Sequence, residues 1–558
     1  MADNLRSGGR ILVDQLRLHG VDLAFGVPGE SYLDVLNAFY DAPELRFVIC
    51  RQEGGVAMMA EAYGKLTGRP GIAFVTRGPG ATNASAGVHV AQQDSTPMIL
   101  FVGQIDSEAR ERDAFQEIDY RQMFRGIAKW AAEIDDAGRI PELVHRAFVT
   151  ATSGRPGPVV LSLPENMLVS RSGATDGRRW QPVEAHPDPA AIADLRQMLA
   201  AASRPLVILG GGGWSAAAAA DIRTFASNQE VPVAVSFRRQ DYFDNLHPGY
   251  AGDLGVGVNP KLIERVRQAD LLIAVGTRLS EIAAQGYTLL DIPRPKQRLV
   301  HIHADPAELG RVYQPDLAIQ ANAKPAAAAL ASLLPIEKRP WSAWTAAAHQ
   351  DYLDTIQPVR TPGSLQMAEV MAHLGARLPE DAIVTNGAGN YAVWATRFRV
   401  FRHYRSQLAP TSGSMGYGLP AAVAAAAVHP DRTVVCFAGD GCFLMTGQEL
   451  ATAVQYGLKL LVLVVNNGMY GTIRMHQERE YPSRVSGTEL RNPDFAALAR
   501  AYGAFGARVE RTADFPAALD EALAFDGPSL IELVLDPEAL TIRASLSQIR
   551  SAAIAAGR

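Results

Sequence analysis

Short runs that are apolar at nearly every position, such as Met98–Val102, Pro205–Leu209 and Leu271–Val275, recur along this chain between stretches of helical periodicity. A strand with no polar face cannot turn one side to water. It belongs in a parallel sheet covered by helices on both sides. The pattern repeats in three blocks. In the first, strands are expected at Phe47–Cys50, Ile72–Thr76, Met98–Val102 and Val159–Leu163, with helices beginning near Gly55, Ala81 and Ile140. The second carries Pro205–Leu209, Val231–Val235, Leu271–Val275 and Leu299–Ile302; the third carries Ala382–Thr385, Thr433–Phe437, Lys459–Val465 and Ser529–Val534. Linker-like stretches run from about Val169 to Pro189 and from about Pro335 to Ser364. The blocks are therefore placed at 1–170, 190–335 and 364–545, each of ordinary domain size. The fold class expected is α/β, with three doubly wound parallel-sheet domains. In such sheets ligands bind beyond the carboxyl ends of the strands.

Apolar residues make up 48% and charged residues 20% of the 558 positions, which excludes a disordered or collagen-like chain. The formal charge of −5 offers no basic excess for nucleic acid. The three cysteines, Cys50, Cys436 and Cys442, show no zinc-site spacing, and a sparse, odd count fits a reducing compartment. The opening Met1-Ala2-Asp3-Asn4-Leu5-Arg6 lacks the apolar core of a signal peptide, and the longest unbroken apolar run, Ala421 to Val428, is too short to span a membrane. A cytoplasmic enzyme with no nucleic-acid or membrane partner is expected.

The third block holds the strongest chemical signal. Strand Thr433–Phe437 runs into Ala438-Gly439-Asp440-Gly441-Cys442, and strand Lys459–Val465 runs into Asn466-Asn467-Gly468-Met469-Tyr470-Gly471-Thr472. The 27 positions from Asp440 to Asn467 accommodate a turn, a helix and the next strand. Adjacent parallel strands would then bring a carboxylate and an amide together at one sheet edge. Those are hard oxygen ligands suited to Mg²⁺ or Ca²⁺, with phosphate oxygens completing the shell. The glycines permit close approach of a phosphate, and a helix following Gly441 would present free N–H groups to it. In the first block, Arg51-Gln52-Glu53 ends a strand and opens an apolar helix. A partly buried glutamate there would suit proton exchange with a nitrogen base; a capping or salt-bridged surface glutamate is the alternative.

Gly-Asp-Gly followed at this interval by Asn-Asn resembles the signature of thiamine diphosphate (ThDP) enzymes, and segments of all three blocks resemble acetohydroxyacid (acetolactate) synthases and the related pyruvate oxidases. The resemblance implies a pyrimidine-binding, a middle and a diphosphate-binding domain. It makes Asp440, Asn467 and the Met469 carbonyl the Mg²⁺ ligands, and it makes Glu53 the group that contacts N1′ of the aminopyrimidine and activates the cofactor. Thr411 to Pro420 is similar to the family segment whose apolar side chain bends the cofactor, which assigns Met415 to that wedge and the Gly413 backbone to the 4′-amino group. Gly389, Asn390 and Tyr391 match diphosphate contacts, as do Gly439, Gly441, Cys442, Tyr470, Gly471 and Thr472 around the metal motif. Gly26-Val27-Pro28-Gly29-Glu30, Gly78-Pro79-Gly80-Ala81-Thr82-Asn83 and Asp113-Ala114-Phe115-Gln116-Glu117 also match synthase segments. They make Phe115 a substrate contact and Gln116 a catalytic-site residue, with Lys129 a further candidate and His89 a weaker pocket candidate. In this family the glutamate and the diphosphate site come from different subunits, so a homodimer or homotetramer is implied.

Two departures qualify the match. In the synthases the middle block holds FAD without redox use. Here Gly210-Gly211-Gly212-Gly213-Trp214 lacks a strict G-x-G-x-x-G, and His301-Ile302-His303-Ala304-Asp305-Pro306 puts His303 where the family has an acidic residue. Losing an acceptor carboxylate weakens the case for ribose and flavin binding, although Thr277-Arg278 retains an arginine. In the second departure, His476 replaces a tryptophan that shapes the pocket for the second 2-oxo acid. It is the candidate for an altered acceptor or a proton donor; an ordinary surface histidine is the alternative. No adjacent His-His pair is present to protonate an intermediate and release an aldehyde, which favours carboligation.

The function expected is ThDP- and Mg²⁺-dependent decarboxylation of a 2-oxo acid followed by carboligation, as in acetolactate synthase. The alternatives are a non-oxidative decarboxylase, a C–C hydrolase of cyclic 1,2-diones, a flavin-linked pyruvate oxidase and a non-catalytic binding or regulatory subunit. The stretch from Asp536 to Arg558 reads as a packing arm rather than a cover for the site.

Overall fold

The computed structural model describes residues 5–558 and contains three six-stranded sheets, each parallel throughout. The chain divides into two compact units. One comprises the residues up to Glu184 together with Val423–Val428, and the other comprises Ala185–Ala422 and His429–Arg558.

In the first unit the strands lie in the order Arg46–Ile49, Leu23–Gly26, Gly71–Val75, Met98–Gln104, Pro158–Pro164, Trp130–Glu133. The central strands are buried at every position, as expected for a sheet sandwiched between helices. Helices Glu53–Thr67 and Pro79–Asp94 pack against one another beside the sheet.

The second unit holds the other two sheets. The middle sheet runs Tyr250–Leu254, Val233–Ser236, Pro205–Leu209, Leu271–Val275, Arg298–His303, Leu317–Gln320. Numbered along the chain this is 3-2-1-4-5-6, the dinucleotide-fold order. The C-terminal sheet runs Gln407–Leu408, Ile383–Asn386, Val434–Gly439, Leu461–Asn466, Ser529–Val534, Phe505–Val509. Its order, 2-1-3-4-6-5, is that of the N-terminal sheet.

Two local expectations need correction. The stretch after Pro335 is not a bare linker. It contains helix Ser342–Thr355, preceded by the fully buried Trp341, whose indole N–H donates to the Gln229 carbonyl at 2.9 Å. That ring joins the middle-domain core. The helix expected after Gly441 is only Asp440–Phe443, and the next helix begins at Glu449. Two glycines and the buried Asp440 side chain hold the chain in a tight turn there instead of a long helical start.

Candidate active site

In the C-terminal sheet the strand order reverses between Ile383–Asn386 and Val434–Gly439, and a ligand belongs at such a switch point. A cavity of about 240 Å³ lies there. Three loops supply most of its wall. Gly389, Asn390 and Tyr391 leave the first strand, Gly439, Asp440, Gly441 and Cys442 leave the second, and Asn467, Met469, Tyr470, Gly471 and Thr472 leave the neighbouring Leu461–Asn466. Gly413 and Met415 close a further side. The structure thus gathers the residues singled out in the third block around one space, with the exception of His476.

Strand register explains the meeting of Asp440 and Asn467. Gly439 lies opposite Val465, so the two chains leave the sheet at one level. Asp440 is buried, and burial pushes its carboxyl above its ordinary range against the pull of hydrogen bonds from the Gly441 N–H, Asn492 and the Gly468 N–H. Its Oδ1 accepts from the Gly441 N–H at 2.8 Å and its Oδ2 from the Gly468 N–H at 2.9 Å. A desolvated carboxylate gains from a cation. Among the described residues there is no group of three or more His, Cys, Asp or Glu side chains that could hold a metal. The oxygens here are one carboxylate, one carboxamide and the Met469 carbonyl. Such a set fits a hard divalent ion whose shell is completed by phosphate.

The glycines leave room that any side chain would remove. A Cβ on Gly439 would stand 2.7 Å from the Tyr391 ring, and one on Gly441 2.6 Å from the Tyr470 ring. The Tyr391 hydroxyl is engaged within the protein. That hydroxyl accepts from the Gly387 N–H at 3.0 Å and donates to Cys442 Sγ at 3.1 Å, so the ring rather than the hydroxyl meets a ligand. Thr472 Oγ1 donates to Asn390 Oδ1 at 2.9 Å, and Asn390 Nδ2 donates to the Leu540 carbonyl at 3.3 Å. These bonds join the first loop, the helix Gly471–Glu480 and the C-terminal arm. Leu535, Ala539 and Leu540 line the cavity with Trp394, Val465 and Ile473, giving it an apolar stretch of wall. The arm therefore covers the site as well as packing. Its helix Leu546–Ala555 is pinned by Arg550, whose guanidinium holds the buried Glu478 carboxyl down at about 2.

His476 is exposed on helix Gly471–Glu480 and lies outside the cavity wall. The buried polar residue of that helix is Glu478.

In the first unit Glu53 is the first residue of its helix. The Gln52 side chain caps that helix by accepting from the Gly55 N–H at 3.0 Å. Glu53 is half-buried, and its Oε2 accepts from Asn83 Nδ2 at 3.0 Å. Gln116 has a left-handed backbone, φ +66°, and lies over Gly78, where a Cβ would come 2.7 Å from the Gln116 Cβ. Phe115 is 74% exposed beside it, held on a loop whose Glu117 carboxylate accepts from the Glu111 and Ala114 N–H groups. His89 is exposed on helix Pro79–Asp94. Lys129 donates to the Thr150 and Ser153 carbonyls at the end of helix Ile140–Thr152, an anchoring use of its charge.

The sequence reading missed Asn492, whose Nδ2 donates to Asp440 Oδ2 at 2.8 Å. It sits in Arg491-Asn492-Pro493-Asp494, which by itself reads as a turn before the N-cap Asp494.

The middle sheet has its own switch point, between Pro205–Leu209 and Leu271–Val275. There the chain's own side chains crowd in. Trp214, 2% exposed, donates its indole N–H to the Gly210 carbonyl at 2.8 Å, and both Tyr242 and Arg239 donate to the Gly211 carbonyl. His303 Nδ1 accepts from the Asp305 N–H, and His301 Nε2 meets the Thr277 carbonyl at 2.9 Å. Burial lowers the His301 pKa to about 4, so that imidazole is neutral near pH 7.

Among the described residues no helix is long and apolar enough to cross a membrane. Three family models match the chain, all described as domains of thiamine pyrophosphate enzymes: the N-terminal TPP binding domain over residues 6–123, the central domain over 192–330 and the C-terminal TPP binding domain over 387–533. The acetolactate synthase isozyme 2 large subunit of Escherichia coli is 32% identical over 95% of this chain and 96% of its own length. The acetolactate synthase large subunit of Parasynechococcus marenigrum is 34% identical over 94% and 87%. The mitochondrial acetolactate synthase of Schizosaccharomyces pombe is 30% identical over 95% and 83%.

Proposed function

Because the chain belongs to the thiamine pyrophosphate enzyme family, with acetolactate synthases among its relatives, we propose that it decarboxylates a 2-oxo acid such as pyruvate and joins the remaining fragment to a second 2-oxo acid. The observation that carries this reading is the glycine-walled cavity with Asp440, Asn467 and the Met469 carbonyl at the switch point of the C-terminal sheet. Those three groups would hold Mg²⁺, and the loops at Gly389 and Gly441 would hold the diphosphate. Met415, on the cavity wall, orients the rings. Bound thiamine diphosphate supplies the electron sink for decarboxylation. Glu53 Oε1 would be the group that exchanges a proton with a bound pyrimidine ring, and Asn83, donating to Oε2, would orient the carboxylate. The apolar wall formed by Leu535, Ala539 and Leu540 excludes water, which would otherwise compete for the activated fragment.

Glu53 and the cavity belong to different units of the chain. The resembled family draws its glutamate and its diphosphate site from different subunits, and on that pattern Glu53 of one copy serves the cavity of another in a protein that is at least a homodimer. Phe115 and Gln116 serve the substrate end. The middle switch point gives a flavin dinucleotide weaker support than the family pattern does, because no carboxylate stands at 303 to take a ribose hydroxyl. No step is assigned to flavin, and the purified protein is expected to be colourless.

Proton NMR of the protein with pyruvate, ThDP and Mg²⁺ tests the proposal. Acetolactate is the expected product. Acetaldehyde alone would make the protein a simple decarboxylase. Pyruvate left untouched while the cofactor exchanges its C2 proton rapidly would overturn the substrate assignment and direct the search to bulkier 2-oxo acids and cyclic diones.

A further inference from the structure

Resting on the reading of Asp440 and Asn467 as metal ligands, we propose that Asn492 is a positioning residue of the metal site, oriented by the buried Glu532 through Asn466. Glu532 lies on strand Ser529–Val534, fully buried, and is paired with Arg508 at 3.2 Å. Its Oε1 accepts from Asn466 Nδ2 at 2.7 Å. The same oxygen also accepts from the Arg508 guanidinium at 3.2 Å, so it acts as an acceptor toward both neighbours. Asn466 must therefore turn its amino group to Glu532 and its oxygen the other way. That oxygen accepts from the Gly468 N–H at 3.1 Å and from Asn492 Nδ2 at 2.9 Å.

The same logic applies at the opposite end. Asp440 Oδ2 accepts from Asn492 Nδ2 at 2.8 Å. The two carboxylates thus impose one sense on the whole chain of amides, which settles the oxygen and nitrogen placement of both asparagines from chemistry. The two amino hydrogens of Asn492 go one to Asp440 and one to Asn466.

Asn492 is itself held in place by the backbone. The Leu490 N–H donates to the Gly468 carbonyl and the Tyr470 N–H to the Thr488 carbonyl, both at 2.8 Å, so segment 488–490 runs beside the loop that carries Asn467 and Met469. Asp440 is consequently fixed through both oxygens, Oδ1 by the Gly441 N–H and Oδ2 by Asn492 and the Gly468 N–H. A ligand oriented before the ion arrives needs no rearrangement to bind it. Partners of this outer kind typically contribute about 10–100-fold in metal affinity.

Electron paramagnetic resonance of Mn²⁺, titrated into the full-length protein with ThDP present, gives the metal dissociation constant without recourse to activity. N492A is expected to weaken Mn²⁺ binding by about 10–100-fold. E532Q, which can donate as well as accept, frees Asn466 to flip and is expected to weaken it by about tenfold at most. The double variant should be no worse than N492A alone. An N492A protein with unchanged Mn²⁺ affinity, even with a lower melting temperature, would overturn the proposal if D440A loses Mn²⁺, because Asn492 would then be a packing residue only. If D440A itself still binds Mn²⁺ like the wild type, the metal assignment beneath the proposal fails.

Discussion

The second unit contains two sheets that each reverse strand order, and their switch points have met different fates. At the C-terminal sheet the crevice is walled by glycines, carries a carboxylate and opens into a cavity. At the middle sheet the corresponding crevice is packed with Trp214, Tyr242 and Arg239 and carries a neutral histidine. A topological switch point therefore offers only a place for a ligand. Which ligand the place suits depends on which side chains leave the strand ends.

The largest expected effect separates the two crevices directly. D440A should abolish ThDP–Mg²⁺ binding, measured by calorimetry, while the apo protein remains folded. W214A should do the opposite, costing about 3–5 kcal/mol of stability in urea unfolding, as for a buried tryptophan, with cofactor affinity retained by the folded fraction. Equal loss of cofactor affinity in both variants would break the contrast.

Adding a methyl group to each crevice should split in the same way, on a smaller scale. In G211A the new Cβ would lie 2.0 Å from the Gly276 carbonyl at φ +73°, so it strains the fold by about 1–3 kcal/mol. In G441A the Cβ meets the Tyr470 ring at 2.6 Å and should weaken ThDP more than it lowers the melting temperature.

His301 provides a pH test. Its folded pKa of about 4 lies below the ordinary 6.5, so between those values the unfolded chain binds more protons. The associated stability is intact above about pH 6.5 and is lost as pH falls toward 4. At pH 5 the loss is about 2 kcal/mol. Asp241, pushed up to about 6 by burial, runs the other way, since the folded carboxyl keeps its proton longer and stability falls as pH rises toward 6. The useful quantity is thus the difference between wild type and H301Q, and H301Q should lose less stability from pH 7 to pH 5. The smallest effect is expected at the C-terminal sheet itself. H476A, exposed and outside the cavity wall, should change kcat/KM for acetolactate formation by less than about threefold, well short of the 10²–10⁴-fold expected of a general acid or base.

The interior strands were the legible ones. Pro205–Leu209 and Leu271–Val275 stand where their unbroken apolar runs place them. The strands that escaped notice lie mostly at sheet edges: Leu317–Gln320, Phe505–Val509 and Trp130–Glu133 are half-exposed and carry mixed residues. Leu23–Gly26 is buried but only four residues long. Tyr250–Leu254 and Gln407–Leu408 are also edge strands outside the expected set, and both are largely buried, so edge position and short length rather than exposure are what most of these strands share. Asp440 and Asn467 were legible for a related reason, since each directly follows a strand whose end the apolar run marks.

The sequence alone determined the α/β class, the parallel sheets and the strand ends that carry Asp440 and Asn467, because each depends on patterns within a few residues. Other features waited for the tertiary structure: Trp214 filling its own crevice, Leu540 closing the cavity from the C-terminal arm, and Asn466 turned by Glu532 toward Asn492. These depend on register and packing between distant segments. Val464 opposite Glu532 is one such pairing. Hydrogen bonds of this kind are directional and short-ranged, so they exist only once the backbone has already brought their partners together.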